Sequence, residues 1–188
     1  MALRSVSVLC CRRDSEYKRI SGVDVFDQVR NARWFEGSNA LVCHPPCGPW
    51  SGHCSHQAKG ELGERSLGPF CVSLLRRNGG VLEHPAHSRL WGWEGLPEPG
   101  HGVDGVEWSI EIEQGLFGYR LTRKRTWICF FGVRSRDVPA WSLSLWSEGG
   151  EERRWQGSSE RQRSLTVLEF GEWLVSAAER SVPPGKKE

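Results

Sequence analysis

The chain has 188 residues, with 25 lysines and arginines against 23 aspartates and glutamates, for a formal net charge of +2. That length suits one domain with a real core and small appendages. The near-balance of charge excludes a non-specific polyanion binder, so any nucleic-acid contact must be local, through a cluster such as Arg120, Arg123, Lys124 and Arg125. Seven cysteines, an odd number without a small-scaffold pattern, and no charged-then-apolar segment after Met1 predict a reduced, cytoplasmic protein with free thiols. Apolar runs such as 127–133 are too short to span a bilayer, so no membrane partner is expected.

Residues 6–11 (VSVLCC) predict a first strand, after which Arg12, Arg13, Asp14 and Ser15 leave polar groups at its carboxyl end. A nucleotide-binding α/β domain carries a glycine-rich turn there, and this chain has none. Residues 22–26 (GVDVF) predict a second strand with Asp24 or Asp27 near its end. An acid in that place can bind ribose hydroxyls, although strand-end aspartates more often cap turns.

The stretch 39–51 (NALVCHPPCGPWS) organises the chain. Ala40, Leu41, Val42 and Cys43 form the unbroken apolar run of a strand covered on both faces. Pro45 and Pro46 stop it, and Gly48 and Pro49 keep a helix from starting at once. Cys47 is therefore expected on an exposed loop at a strand's carboxyl end, where α/β sheets bind ligands. A lone cysteine is more often packing than chemistry, so the rest of the chain must carry the case. Ten tryptophans are many for this length; Trp50, Trp91 and Trp93 lie beside glycine and proline, where flat rings can line a pocket for a base.

Residues 52–65 read as a mobile loop over this site. Its His53, Cys54 and His56, with Cys43, His44 and Cys47, lack the compact ligand pairs of a zinc centre, and no metal is expected. Residues 69–77 predict a helix opened by Pro69 and stopped by Asn78, Gly79 and Gly80. A strand over 80–82 follows, making a βαβ unit with 40–43 and bringing Cys47 and Glu83 to one crevice. Glu83, on a turn stiffened by Pro85, is expected to have a raised pKa beside an apolar wall.

Residues 107–113 alternate, with Trp108, Ile110 and Ile112 on one face, and 126–131 (TWICFF) read as a more buried strand. Such an antiparallel pair at the end of a parallel sheet is what many methyl-transfer domains have. Residues 137–159 read as a Trp-, Ser- and Gly-rich surface excursion. Thr166 and Glu169 form a capping box for a last helix with Phe170, Trp173, Leu174 and Ala177 on its apolar face, expected to dock on the sheet. The expected division is a Rossmann-like α/β catalytic domain over 1–133, an excursion or subdomain over 134–163, the docking helix over 164–182 and a disordered tail over 183–188.

Three motifs, in order, resemble the DNA (cytosine-5)-methyltransferases. The family's Pro-Cys-Gln-Pro-Phe-Ser loop is similar to Pro46, Cys47, Gly48, Pro49, Trp50 and Ser51; its Glu-Asn-Val is similar to Glu83, His84 and Pro85. Its Tyr-Gly-Val-Pro-Gln-Asn-Arg-Glu-Arg segment is similar to residues 117–125, ending in Arg123, Lys124 and Arg125. The separations, 36 residues from Cys47 to Glu83 and 40 from Glu83 to Arg123, suit the family's catalytic core. The whole chain is also similar to short uncharacterised proteins carried by bacteriophages and prophages. It departs from the family at the glycine-rich turn, replaced by residues 10–15, at Gly48 and Leu121 where the motifs carry glutamine, and in the target-recognition region, missing or shrunk to 134–160.

The resemblance implies a transferase acting on a pyrimidine of DNA or a nucleotide in a bacterial cytoplasm. Cys47 would add to C6 of cytosine, Glu83 would hydrogen-bond or protonate N3, and Arg123 and Arg125 would orient the base or favour the thiolate. Pro46, Trp50, Ser51 and His84 would line the base, and Asp14, Ser15, Asp24 and Asp27 would face S-adenosylmethionine. Two alternatives are a phage enzyme that modifies bases or nucleotides with another donor, and a degenerate DNA-binding or anti-restriction protein.

Overall fold

Seven strands build one mixed sheet in the computed structural model, which describes residues 3–51, 62–117, 124–140 and 166–183. β1 (Val6–Leu9) lies between β2 (Val23–Phe26) and β3 (Ala40–Cys43), and β3 is followed by β4 (Gly80–Pro85), all parallel. β5 (Gly102–Val103), β6 (Glu107–Glu113) and β7 (Arg125–Phe131) complete the order β2-β1-β3-β4-β7-β6-β5. β7 is antiparallel to both β4 and β6, and β5 is antiparallel to β6. The sheet is thus parallel on one side and antiparallel on the other, and the expected β6–β7 pair joins it through its later strand.

All four residues of β3 are buried, because strand alternation sends them to two different cores. Ala40 and Val42 join Val6, Val8, Val81, Ile128 and Phe130 on one face, covered by Phe170, Trp173, Leu174 and Ala177. Leu41 and Cys43 join Leu9, Leu82 and Phe131 on the other, covered by Cys71, Val72, Leu75, Leu90 and Trp91. The expected βαβ unit forms around α2 (Leu67–Asn78), which follows the single turn α1 (Leu62–Arg65). α1 belongs to the stretch expected as a loop; residues 52–61 lie outside the described residues. α2 stops at Gly79, whose φ of +78° only glycine adopts freely and whose N–H donates to the Leu75 carbonyl at 2.7 Å.

Several elements differ from expectation: β1 ends at Leu9 rather than Cys11, and α2 begins at Leu67, two residues before Pro69. β4 does not end at Leu82: Glu83, His84 and Pro85 stay in the strand because β7 pairs with them through Ile128, Trp127 and Thr126 after β3 has ended. α3 (Arg89–Glu94) was hidden by Gly92 and Gly95, yet the Ser88 hydroxyl caps it by accepting the Leu90 N–H at 3.1 Å. α4 (Leu168–Ala178) has Val167 as its N-cap with no side-chain capping bond, so docking of its apolar face, not the Thr166–Glu169 box, places it. Of the expected excursion only 134–140 and of the expected tail only Pro183 are described; the rest lies outside the described residues. Among the described residues no helix is long and apolar enough to cross a membrane.

Candidate active site

At the end of β3 the His44 N–H still donates to the Leu9 carbonyl at 3.0 Å, and the chain then leaves the sheet through Pro45 and Pro46. Cys47 is exposed. It leads one 3-10 turn, Gly48–Trp50, closed by the Trp50 N–H on the Cys47 carbonyl at 3.0 Å. The glycine and proline expected to prevent such a turn permit it, because a proline in the first turn gives up no hydrogen bond. Pro46 precedes Cys47 and Ser51 closes the turn by donating its N–H to the Gly48 carbonyl at 3.3 Å, both half-buried.

Trp50 does not line an open pocket. It is 1% exposed and packs on α2, where a Cβ at Gly68 would stand 2.8 Å from its Nε1. The ring that reaches solvent is Trp93, 64% exposed, 5.9 Å from the Trp50 ring between centroids. The Arg65 guanidinium sits about equally over both rings, at 5.1 and 5.2 Å. Trp91 is core, its Nε1 donating to the Pro97 carbonyl at 3.0 Å.

Among the described cysteines Cys47 alone is exposed. Cys10 is held as a thiol by its contact with Cys71, Sγ to Sγ 3.8 Å, and by burial. Burial pushes Cys11 up to about 11 and Cys129 to about 12. These groups pack; Cys47 is the thiol that a substrate can reach.

Glu83, expected on a stiffened loop, is 5% exposed within β4 and ties together a polar network at the foot of the Cys47 loop. Its Oε2 lies 2.9 Å from His44 Nδ1, and the other ring nitrogen of His44 lies 2.8 Å from the Tyr17 hydroxyl. With Nδ1 donating to the carboxylate, a neutral ring presents Nε2 as acceptor to Tyr17. Burial keeps Tyr17 a phenol by raising its pKa well above the usual value. Glu83 Oε1 accepts from Gln114 Nε2 at 2.9 Å and lies 3.6 Å from Lys124 Nζ. Gln114 Nε2 also donates to Thr126 Oγ1 at 2.9 Å, while Gln114 Oε1 is buried and has no partner among the described residues.

The expected raised pKa of Glu83 is not found. Burial is the largest influence and pushes it up, but Lys124, His44 and His84 together outweigh it, and the carboxyl falls well below the usual range. Glu83 is therefore a carboxylate with both oxygens engaged. His84, next in the strand, points to the opposite face and is 1% exposed, and neither of its ring nitrogens makes a well-formed hydrogen bond among the described residues. Burial lowers its pKa to about 4, so it stays neutral.

The third motif divides by strand parity. Lys124 shares the Glu83 face with Thr126 and Ile128, whereas Arg125 shares the other face with Trp127, and both of these donate to Glu111, at 2.6 and 2.8 Å. Arg125 is thus not beside Glu83, and Lys124, 9% exposed, is the cation there. Arg123 lies outside the described residues, as do His53, Cys54 and His56. Reading the parity of 126–131 back by two residues would have found Lys124. His44, Tyr17 and Gln114 carried no signal of that kind, because His44 and Tyr17 meet Glu83 only once β1, β3 and β4 are in register, and Gln114 only once β4, β7 and β6 are.

The residues expected to face a cofactor divide as well. After β1 the chain turns with Cys10 at φ +62°, a conformation favoured by glycine. Beyond it a cleft of about 570 Å³ opens, lined by Arg12, Arg13, Asp14 and Gln28. Asp14 pairs with Arg12 at 2.9 Å. Ser15 caps the 3-10 turn Glu16–Arg19 by accepting the Tyr17 N–H at 3.4 Å. Asp24 pairs with Arg30. Asp27 accepts from Lys18 at 2.6 Å and from the Val29 and Arg30 N–H groups at 2.8 and 3.0 Å, which hold it at about 2. Asp24 and Asp27 are ion-pair and turn residues, the common use of strand-end acids.

Comparison with known proteins adds no relative: no family model, no curated protein and no solved structure matches the chain.

Proposed function

We propose that the protein modifies a pyrimidine base through a covalent adduct on Cys47, as a compact enzyme of the DNA cytosine-5 methyltransferase type. The observation that carries the reading is the exposed Cys47, one strand from Glu83 at the carboxyl edge of the sheet. The three motifs in register support it, and so does the parallel sheet with its antiparallel extension, read as Rossmann-like. A reducing bacterial cytoplasm suits the free thiols.

The Cys47 thiolate adds to C6 of the ring, and the C5–C6 π pair moves to C5, which becomes nucleophilic. C5 then takes an electrophile; loss of the C5 proton and expulsion of Cys47 restore the double bond. Glu83, with both oxygens engaged, holds His44 and Lys124 under the Cys47 loop and is a positioning residue rather than a proton donor to N3. Arg125 turns away with Glu111 and takes no part. A target base in duplex DNA must be flipped out, or the substrate is single-stranded DNA or a free nucleotide.

The residues do not fit S-adenosylmethionine, the donor that the resemblance implies. That donor carries a sulfonium and an ammonium against a single carboxylate, so it is a net cation, and two arginines stand where it would need a close backbone turn. Asp24 and Asp27 are engaged elsewhere. The group that C5 attacks is therefore assigned to another donor.

DNA containing 5-azacytosine tests the adduct without any donor, because a ring nitrogen at position 5 makes C6 a stronger electrophile. The expected result is a denaturation-resistant adduct on the wild-type protein, absent in Cys47→Ser. No adduct on single- or double-stranded DNA or on the free 5-azacytosine nucleotide would sink the reading and favour a DNA-binding protein without catalysis.

A further inference from the structure

The cleft after β1 has a chemistry of its own that does not depend on Cys47. Its volume, about 570 Å³, lies within the range of small-molecule sites, roughly 300–1,000 Å³. Two guanidinium groups and one carboxylate line it, with the neutral amide of Gln28. The Arg12 charge is offset by Asp14 at 2.9 Å. Arg13 is exposed, and its side chain makes no ion pair or hydrogen bond among the described residues. The neighbouring cations are occupied, Lys18 by Asp27 and Arg30 by Asp24, and Lys18 also reaches the Arg13 carbonyl at 2.8 Å, adding positive charge behind the turn.

We propose that this cleft binds the phosphate of a nucleotide, with the Arg13 guanidinium as the principal contact and Arg12, steered by Asp14, as the second. A planar guanidinium matches phosphate oxygens in pairs. An arginine with no ion-pair partner among the described residues, exposed at the mouth of a cleft, attracts an anion and repels a sulfonium. The phosphate belongs to a free nucleotide rather than to a strand of DNA, because the chain's near-neutral charge provides no extended track for a polyanion.

Calorimetric titration of the full chain with dCMP, deoxycytidine, an oligonucleotide lacking terminal phosphates and S-adenosylmethionine tests the site. dCMP is expected to bind, with deoxycytidine at least about tenfold weaker, as loss of a charge-assisted contact implies. Arg13→Ala should weaken dCMP by about fivefold to tenfold with an unchanged unfolding temperature. Asp14→Asn should tighten dCMP, because it removes the one negative charge of the cleft; for a cationic ligand both signs reverse. Arg13-dependent binding of dCMP by a protein that leaves no label at C5 of cytosine in D₂O would keep this proposal while ending the covalent reading, so the two failures are distinguishable. Equal binding of dCMP and deoxycytidine, Arg13-dependent binding of the oligonucleotide alone, or S-adenosylmethionine binding weakened by Asp14→Asn would each overturn the proposal.

Discussion

Two loops leave neighbouring parallel strands at the same edge of the sheet and are held in opposite ways. The 44–51 loop is stiffened by two prolines and backed by the buried Tyr17, Glu83, Gln114 and Lys124 and the half-buried His44, whose charges and hydrogen bonds work away from water. In the 10–15 turn, whose course is set by Cys10 at φ +62°, residues 12–14 face solvent, with Arg12 and Asp14 in a screened surface pair and Arg13 exposed beside them. A buried ion pair is costly to break from one side, whereas a surface pair contributes little to stability. Substitution behind the Cys47 loop should therefore lower global stability, and substitution in the cleft should alter binding alone.

The largest effect is expected from Glu83→Ala, which leaves Lys124 buried and uncompensated. A loss of about 3–5 kcal/mol in a urea titration is expected. Pairing it with Lys124→Met should recover part of the loss, and strict additivity of the two would break the assignment.

Acid should act on the same region. The folded-state pKa of Glu83 lies below its unfolded value, so its contribution is present above about 4.5 and is lost as pH falls further. His84 drops from 6.5 to about 4 on folding, so the unfolded chain takes up a proton that the buried ring refuses. Stability should thus decline as pH falls from about 6.5 to about 4 and more steeply below 4.5. His84→Phe should flatten the upper limb of unfolding midpoints measured against pH. An unchanged limb would mean that His84 is not the group responsible.

Smaller effects sharpen the contrast. Tyr17→Phe removes one neutral hydrogen bond from His44 and should cost about 1 kcal/mol by chemical denaturation. Arg125→Ala should leave the unfolding temperature unchanged, while Lys124→Ala, one residue away but on the buried face, should lower it clearly.

The scaffold was legible where one local rule decided the outcome. The apolar run 40–43 marks a strand with two covered faces, Gly79 marks the end of α2, with Pro69 inside its first turn, and alternation over 107–113 marks β6. The exposed position of Cys47 followed from the prolines that end β3. The surroundings of Glu83 were not legible, because β4 outlasts β3 only through its pairing with β7. Its depressed pKa depends on Lys124 and on a histidine brought there by β1–β3–β4 register. Trp50 reads as a pocket wall beside glycine and proline, and only the bare Gly68 across from it shows a core position.

Hydrogen exchange at C5 of cytosine in D₂O tests the central claim most directly. Reversible addition of Cys47 to C6 makes C5 nucleophilic, so C5 takes a deuteron and returns labelled cytosine with no donor present. The account predicts deuterium at C5 of dCMP or single-stranded DNA with the wild-type protein and none with Cys47→Ser. Label that persists in Cys47→Ser, or its absence from every cytosine substrate with the wild-type protein, would contradict it.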